Sequence, residues 1–568
     1  MKKAVLRILL YGTVLLVGVV AWVTSWVIYS GRSWQAAVPL LAQFTSPAKR
    51  NPAEEAEREV FRQAYDLIQR DGGTGETKRQ AEALLRGLAE RNSQSAYALL
   101  GLAELMYYAE GGLGGRETPI ETTALLNRVN ALRPDLPESF VLEAKIRLRE
   151  GRLAEASSAA QLANTMLPDR PEAKFVVAAV LDKQGRYEEA EAWYRKTIAS
   201  MTDDDRRSNV YAWLGDMLVS PARPRADVVR DLDKAREAYL MAAKLAPGSP
   251  WKANDYANFL IRHDGDFDGA SRELIRALNI MDFRAARFNL GIATYGRWAK
   301  AYEDSVTDKN TLPDVATLAR QTGLEVDRMF AYAAGVRTLH VVGRALVKTK
   351  AVSNFDAPDW DGWPAIVNAA FVDDAEYAAM LVEGGANVNA ENPSGETALS
   401  IFLQKGNLSG ARLVLDRGAR VNHVTKKGWS MLMLALQADD EKLVLTRLML
   451  KRGADPTLPF FQERKTAEAA ILWSRPEAAR LFLEMGVLDA NGMLTSGQTY
   501  LLYSCLVANK AMVALLLEKG ANPWVRNGSD DVLVLLERLK KMPQRPEAGA
   551  VSDMIIVARA SHAKPVNF

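Results

Sequence analysis

The residues able to do chemistry in this chain of 568 residues are few and scattered. A single cysteine, Cys505, excludes an intramolecular disulfide and any thiolate-cluster metal site. It falls in "YLLYSCLVA", an apolar helical run in which a small buried thiol is expected rather than a nucleophile. The histidines, His263, His340, His423 and His562, lie far apart, and none belongs to a pair with metal-ligand spacing. Adjacent carboxylates occur at Glu188-Glu189 and at Asp203-Asp204-Asp205. With no companion His or Lys at a defined spacing, they read as solvated acids rather than as a general acid and its base. The Gly-rich stretch "EGGLGGRETP" at 110–119 lacks the Gly-Lys-Ser/Thr ending of a phosphate loop and follows no strand, so it reads as a loop between helices. These residues predict no catalytic site, no cofactor, no metal and no small-molecule substrate.

Nucleic acid is also an unfavourable partner. Lys plus Arg (72) nearly balance Asp plus Glu (69), so no global field holds a polyanion. The segment "LARQTGLEVDRMF" at 318–330 resembles the turn of a helix-turn-helix DNA reader, with Thr322-Gly323-Leu324 at the corner. The helix after that corner carries Glu325 and Asp327 against Arg328, the wrong charge for a recognition helix.

The elements that carry these residues are predicted to be helices throughout. The length exceeds one compact core, so several domains or an extended solenoid are expected. From Ile8 to Tyr29 run 22 residues without a charge, enough at about 1.5 Å per residue to cross a hydrocarbon core of about 30 Å. Trp22, Trp26 and Tyr29 near the far end favour an uncleaved anchor over a signal peptide. Lys2, Lys3 and Arg7 precede the run and only Arg32 closely follows it. That bias predicts a single-pass protein of a bacterial inner membrane, its N-terminus cytoplasmic and its body periplasmic. Residues 31–55, with Pro39, Pro47 and Pro52, read as a linker.

Beyond it the apolar residues follow helical periodicity, and the chain repeats itself. Gly151 in "EGRLAEA" recurs 34 residues later as Gly185 in "QGRYEEA", Pro134 recurs as Pro168, and Pro137 as Pro171. A related "DGDFDGA" surrounds Gly265. These segments resemble tetratricopeptide repeats, with Ala178 and Ala190 at the small positions and Tyr194 as the filler. One unit needs an insertion around "SPARPRAD". After "NFDAPDWDGWP" at 354–364 another phrase recurs: "LVEGGANVN", "VLDRGARVN", "MLKRGADPT", "FLEMGVLDA" and "LLEKGANPW". It places Gly385, Gly418, Gly453, Gly486 and Gly520 at intervals of 33, 35, 33 and 34. These resemble ankyrin repeats, although the usual Thr-Pro-Leu-His start survives only as Thr397-Ala398-Leu399, Ser430-Met431-Leu432, Thr466-Ala467 and Thr499-Tyr500-Leu501.

The expected architecture is thus all-α: an N-terminal transmembrane helix (1–30), the linker, a tetratricopeptide-like solenoid (56–316), a helical spacer or degenerate repeats (317–355), an ankyrin solenoid with its terminal cap (356–545) and a tail (546–568). The two resemblances imply binding of proteins: peptides in tetratricopeptide grooves, folded partners on ankyrin fingers. Trp429, Lys426, Lys427, Phe460, Phe461 and Trp524 stand on the fingers or just past the turn glycine, and large aromatics dominate interface energetics. The expected role is a scaffold for protein partners outside the cytoplasm, attached to the lipid bilayer and serving a secretion or envelope-assembly system. An inhibitor or immunity protein that blocks a toxin or hydrolase is the alternative, and an enzyme hidden in 300–353 the third reading.

Overall fold

The computed structural model describes residues 52–70, 75–114, 118–304, 312–460, 464–528, 530–542 and 544–562. The apolar run 8–29 lies outside them, as does most of the linker. The chain divides into two compact units, one of residues 1–263 with 269–287, the other of 264–268 with 288–568.

The N-terminal unit is a series of antiparallel helical hairpins. They pair Pro52–Arg70 with Gly75–Arg91, Ala96–Ala109 with Ile120–Leu132, Pro137–Arg149 with Leu153–Met166, Pro171–Lys183 with Tyr187–Ala199, and Asp204–Leu218 with Arg225–Leu245. Proline at the first position starts the helices at Pro137 and Pro171, where its missing N–H costs nothing. Glycine ends the first helix of those same two hairpins: Gly185 takes φ +77, and its neighbour Arg186 closes the turn by donating to Leu181 O at 2.9 Å. Small residues set the crossing distance. A Cβ at Gly215 would stand 2.9 Å from the Tyr239 ring, so only glycine lets these helices approach. Tyr194, fully buried, fills the corresponding gap one hairpin earlier. The insertion around 220–224 folds back on its own hairpin: Arg223 is buried, donating to Leu218 O and to Asp231, both at 2.7 Å.

The second unit takes in most of helix Arg284–Glu303, followed by Val315–Thr322, Val326–Ala334 and His340–Lys348. Five helix pairs follow: Ala365–Phe371 with Ala375–Glu383, Ala398–Gln404 with Leu408–Asp416, Met431–Ala438 with Val444–Lys451, Ala469–Leu472 with Pro476–Glu484, and Tyr500–Leu506 with Lys510–Glu518. Val532–Leu539 and Ala548–Ser561 close the stack. The first helix of each pair is short and apolar on every side. Residues 365–370, 398–403 and 431–436 are all buried, so these helices form the central layer. Their starts are capped by side chains: Thr397 accepts from Ser400 N, Ser430 from Met433 N, and Thr499 from Leu502 N. The second helix of each pair ends in a left-handed residue, and the residue after it donates back five positions. This bond recurs at Ala351, Ala386, Ala419, Ala454, Val487 and Ala521. Its first member follows the helix pair Val326–Ala334 and His340–Lys348, which ends in the same turn. The tail segment 548–561 is a helix over the end of the stack, where Arg559 donates to Pro523 O and pairs with Asp531.

One expectation is corrected by these observations. Among the described residues no helix is long and apolar enough to cross a membrane. The longer helices have a polar face as well as a buried one; Pro52–Arg70, for example, exposes Glu59, Gln63 and Asp66. The placement in a bacterial inner membrane with a periplasmic body is therefore withdrawn.

Candidate binding surfaces

Between successive helix pairs of the second unit the chain projects tight β-turn fingers. Their stems are backbone pairs at Pro358 with Pro364, Val424 with Ser430, and Met493 with Thr499, together with the short hairpins Pro459–Phe460 with Arg464–Lys465 and Arg526–Asn527 with Asp530–Asp531. Apart from the 459–465 hairpin, whose tip lies outside the described residues, the fingers turn through positive-φ glycines: Gly362, Gly395, Gly428, Gly497 and Gly528. Asparagines hold neighbouring fingers in register. Asn389 Oδ1 accepts from Arg420 N at 2.8 Å while its Nδ2 donates to Gly418 O at 3.1 Å. Asn422 does the same to Asp455 N and Gly453 O, and Asn491 to Asn522 N and Gly520 O. Each asparagine thus ties one loop to the turn of the next repeat with both ends of its amide. The ladder breaks at Thr457, which stands in the asparagine's place and donates instead to the Asp455 carboxylate. Arg475, at the turn between the helices of its own pair, donates to the carbonyls of Leu436 and Asp439 at the corresponding turn of the preceding pair.

The structure brings three of the sequence-selected residues together on one finger. Lys426 and Lys427 are exposed at its tip and Trp429 is half-buried at its base. Lys426 Nζ donates to Pro393 O at 2.8 Å on the preceding finger, and Lys427 Nζ stands 3.7 Å from Glu396. The Trp429 amide donates to Thr425 Oγ1 at 3.2 Å, which fixes the indole past the turn. Phe460 lies in the longer fourth hairpin, its backbone opposite Arg464; Phe461 lies outside the described residues. Trp524 is half-buried, with the Arg559 guanidinium 4.6 Å from its ring centroid, so it carries the closing helix. His423 is turned inward, its Nε2 2.8 Å from Gly395 O, and serves the finger itself. Cys505 is buried, and burial pushes its thiol up to about 12, far from a reactive thiolate.

Sequence reading passed over Trp360, Trp363 and Phe371. Trp360 meets Phe288 edge to face at 4.8 Å, and Trp363 meets Phe371 at 5.4 Å. Phe371 is 51% exposed, with Lys405 Nζ 5.5 Å from its ring centroid. The repeated Gly-Trp of 362–363 and 428–429 was the available signal.

The N-terminal unit encloses a cavity of about 920 Å³, bounded in part by Phe175, Trp213, Trp251, Lys145, Arg206 and Lys252. On its wall the Lys145 ammonium, 2% exposed, meets the Glu104 carboxylate at 3.3 Å and the hydroxyls of Tyr65 and Tyr108 at 3.0 and 3.1 Å. Burial opposes that charge, but Glu104, Tyr108 and Tyr65 outweigh it and hold the Lys145 pKa well above the usual lysine value. Among the described residues no group of three or more His, Cys, Asp or Glu side chains is arranged to hold a metal ion.

A family model of ankyrin repeats in three copies matches residues 366–460. These residues are similar to ankyrin repeats. The mitochondrial disaggregase of Bos taurus is 30% identical over 181 residues, covering 30% of this chain and 25% of that protein. The nuclear factor NF-kappa-B p105 subunit of Mus musculus is 34% identical over 119 residues, 21% of this chain and 12% of its own. The chain therefore matches a quarter or less of either relative. The solved ankyrin repeat domain of Bcl-3 is 20% identical and aligns with a TM-score of 0.33, covering 40% of this chain and 97% of that one. These curated relatives are animal proteins, a second finding against the bacterial placement. The ankyrin fold is typically a binding scaffold for proteins and not an enzyme.

Proposed function

We propose that this chain is a protein-interaction scaffold whose ankyrin fingers engage a folded partner. The observation that carries the reading is the asparagine ladder of Asn389, Asn422 and Asn491, which fixes the exposed fingertips in one register. A pre-organised row of loops binds without first paying an ordering cost, and such a row serves recognition better than catalysis. Lys426, Lys427 and Trp429 form its centre, with Trp363 and Phe371 two repeats earlier. The N-terminal hairpins, with glycine at 151 and 185 and close crossings at Gly215 and Ala178, fit a tetratricopeptide-like array that extends the scaffold.

The test is crosslinked capture with the intact chain and with a Lys426→Glu/Lys427→Glu variant. A partner retained by the parent and lost from the folded variant supports the reading. Equal retention by both removes the fingers from the interface.

A further inference from the structure

The N-terminal cavity differs from an open solenoid groove because its arc is tied across. Arg206, on helix Asp204–Leu218, reaches Asp66 on the first helix at 3.1 Å and grips Glu172 on a third. What remains is a bowl of about 920 Å³. That size falls in the range of about 300–1,000 Å³ found for small-molecule sites.

The bowl's walls are aromatic. Phe175 and Trp213 meet edge to face at 6.0 Å, and Trp251, 53% exposed, stands 4.4 Å from Phe283. Exposed apolar surface of this kind is a usual mark of a ligand site. The cations of the lining are not equivalent. Lys145 is satisfied by Glu104 and two tyrosine hydroxyls, and Arg206 by Glu172 and Asp66. The Lys252 ammonium has neither a hydrogen bond nor an ion pair among the described residues. Burial pulls its pKa below the usual lysine value, and Asp255 and Asp216 offset this only in part. Asp216 is already engaged, accepting from the Tyr239 hydroxyl at 2.6 Å. The half-buried ammonium beside aromatic walls thus feels Asp255 and Asp216 at a distance, with no carboxylate in contact among the described residues.

We propose that this bowl binds a small aromatic carboxylate, its ring against Trp213 and Trp251 and its anionic group on Lys252. The site is separate from the fingers and stands whether or not they bind a protein. Arg206 positions the wall and does not contact the ligand's charge, because its donors are committed to Glu172 and Asp66.

The probe is 8-anilinonaphthalene-1-sulfonate, titrated into the intact chain and followed by fluorescence. 1-Naphthoate and 1-naphthamide compete for it, sharing one ring system and differing in charge. Saturable probe binding is expected, with naphthoate displacing it at a concentration about tenfold or more below that of naphthamide, the usual worth of a charged hydrogen bond. Lys252→Met brings that ratio close to unity, Lys252→Arg keeps it, and Trp251→Ala weakens both competitors. Circular dichroism of each variant shows whether the fold is intact. The proposal is overturned by any of four results: no saturable probe binding, equal competition in the parent chain, a ratio that survives Lys252→Met in the folded variant, or displacement by an extended decapeptide and not by naphthoate.

Discussion

Replacing Lys145 by alanine removes the cation that compensates a carboxylate sealed inside the N-terminal unit. Both members of the pair are 2% exposed and 3.3 Å apart, so water cannot take over the role of the lost ammonium. Breaking one side of a buried pair of this kind costs about 3–5 kcal/mol, because the remaining charge stays desolvated. Two tyrosine hydroxyls lose their partner as well. Converted at about 1.4 kcal/mol per decade, the cost is roughly two to three and a half orders of magnitude in the local opening equilibrium. Native-state hydrogen exchange is the right assay, since a repeat array opens segment by segment and one global midpoint would blur the effect. Amides of Ala96–Ala109 and Pro137–Arg149 should exchange faster by that factor, while those of Tyr500–Leu506 stay unchanged. The double variant Glu104→Leu/Lys145→Met should recover most of the loss, because matched apolar replacement of both partners is close to neutral. A single variant within tenfold of the parent refutes the reasoning, as does a double variant no better than the single.

A Cβ at Gly343 would lie 1.7 Å from the Tyr377 hydroxyl, so Gly343→Ala is expected to lower stability by about 1–3 kcal/mol in urea unfolding. Among the described residues that hydroxyl has no hydrogen-bond partner, and Tyr377→Phe should be near neutral alone and relieve part of the alanine's cost. Lys350 holds φ +55 where the later repeats carry glycine; Lys350→Gly should raise the urea midpoint of the second unit, by about 0.5–1 kcal/mol in free energy. The two units should respond to acid in opposite directions. Burial lowers the pKa of His340 from 6.5, and Arg337 and Arg344 add to this, while Ala334 O and Asp374 oppose it. The unfolded chain therefore takes up the proton first, and the second unit loses stability as pH falls below 6.5. Burial raises the Asp255 carboxyl from 3.8 to about 6, so there the folded chain takes up the proton first. The N-terminal unit then gains stability as pH falls from about 6 towards 3.8. Hydrogen exchange across that range, with His340→Gln and Asp255→Asn as controls, reads both slopes, and a variant with an unchanged slope removes that residue as the cause.

The parts of the fold legible in the sequence were those with local causes. Glycines at 385, 418, 453, 486 and 520 terminate helices that the chain must turn away from, and the threonine and serine caps stand next to the apolar runs they start. The helix pair at 326–348 matched no repeat phrase because its terminal turn uses Lys350, whose left-handed backbone leaves no glycine to find. The closing helix at 548–561 follows Pro546 and carries Ser552 and Asp553 among its apolar residues, which weakened its helical signal. Trp524 stands on a loop in sequence, but that helix folds back and places Arg559 on its ring. Lys145 and Glu104 are residue types that composition assigns to the surface; their burial arises from a contact spanning 41 positions that no local pattern carries. The bowl is non-local in the same way, since helices far apart in sequence contribute to it.

The fingers as the recognition face are tested most directly by hydroxyl-radical footprinting of the intact chain, free and with its captured partner. Protection is predicted at 360–363, 393–396 and 426–429, with the outer helices Leu408–Asp416 and Val444–Lys451 unchanged. Protection confined to those helices, with fingertips as reactive as in the free chain, would contradict the account.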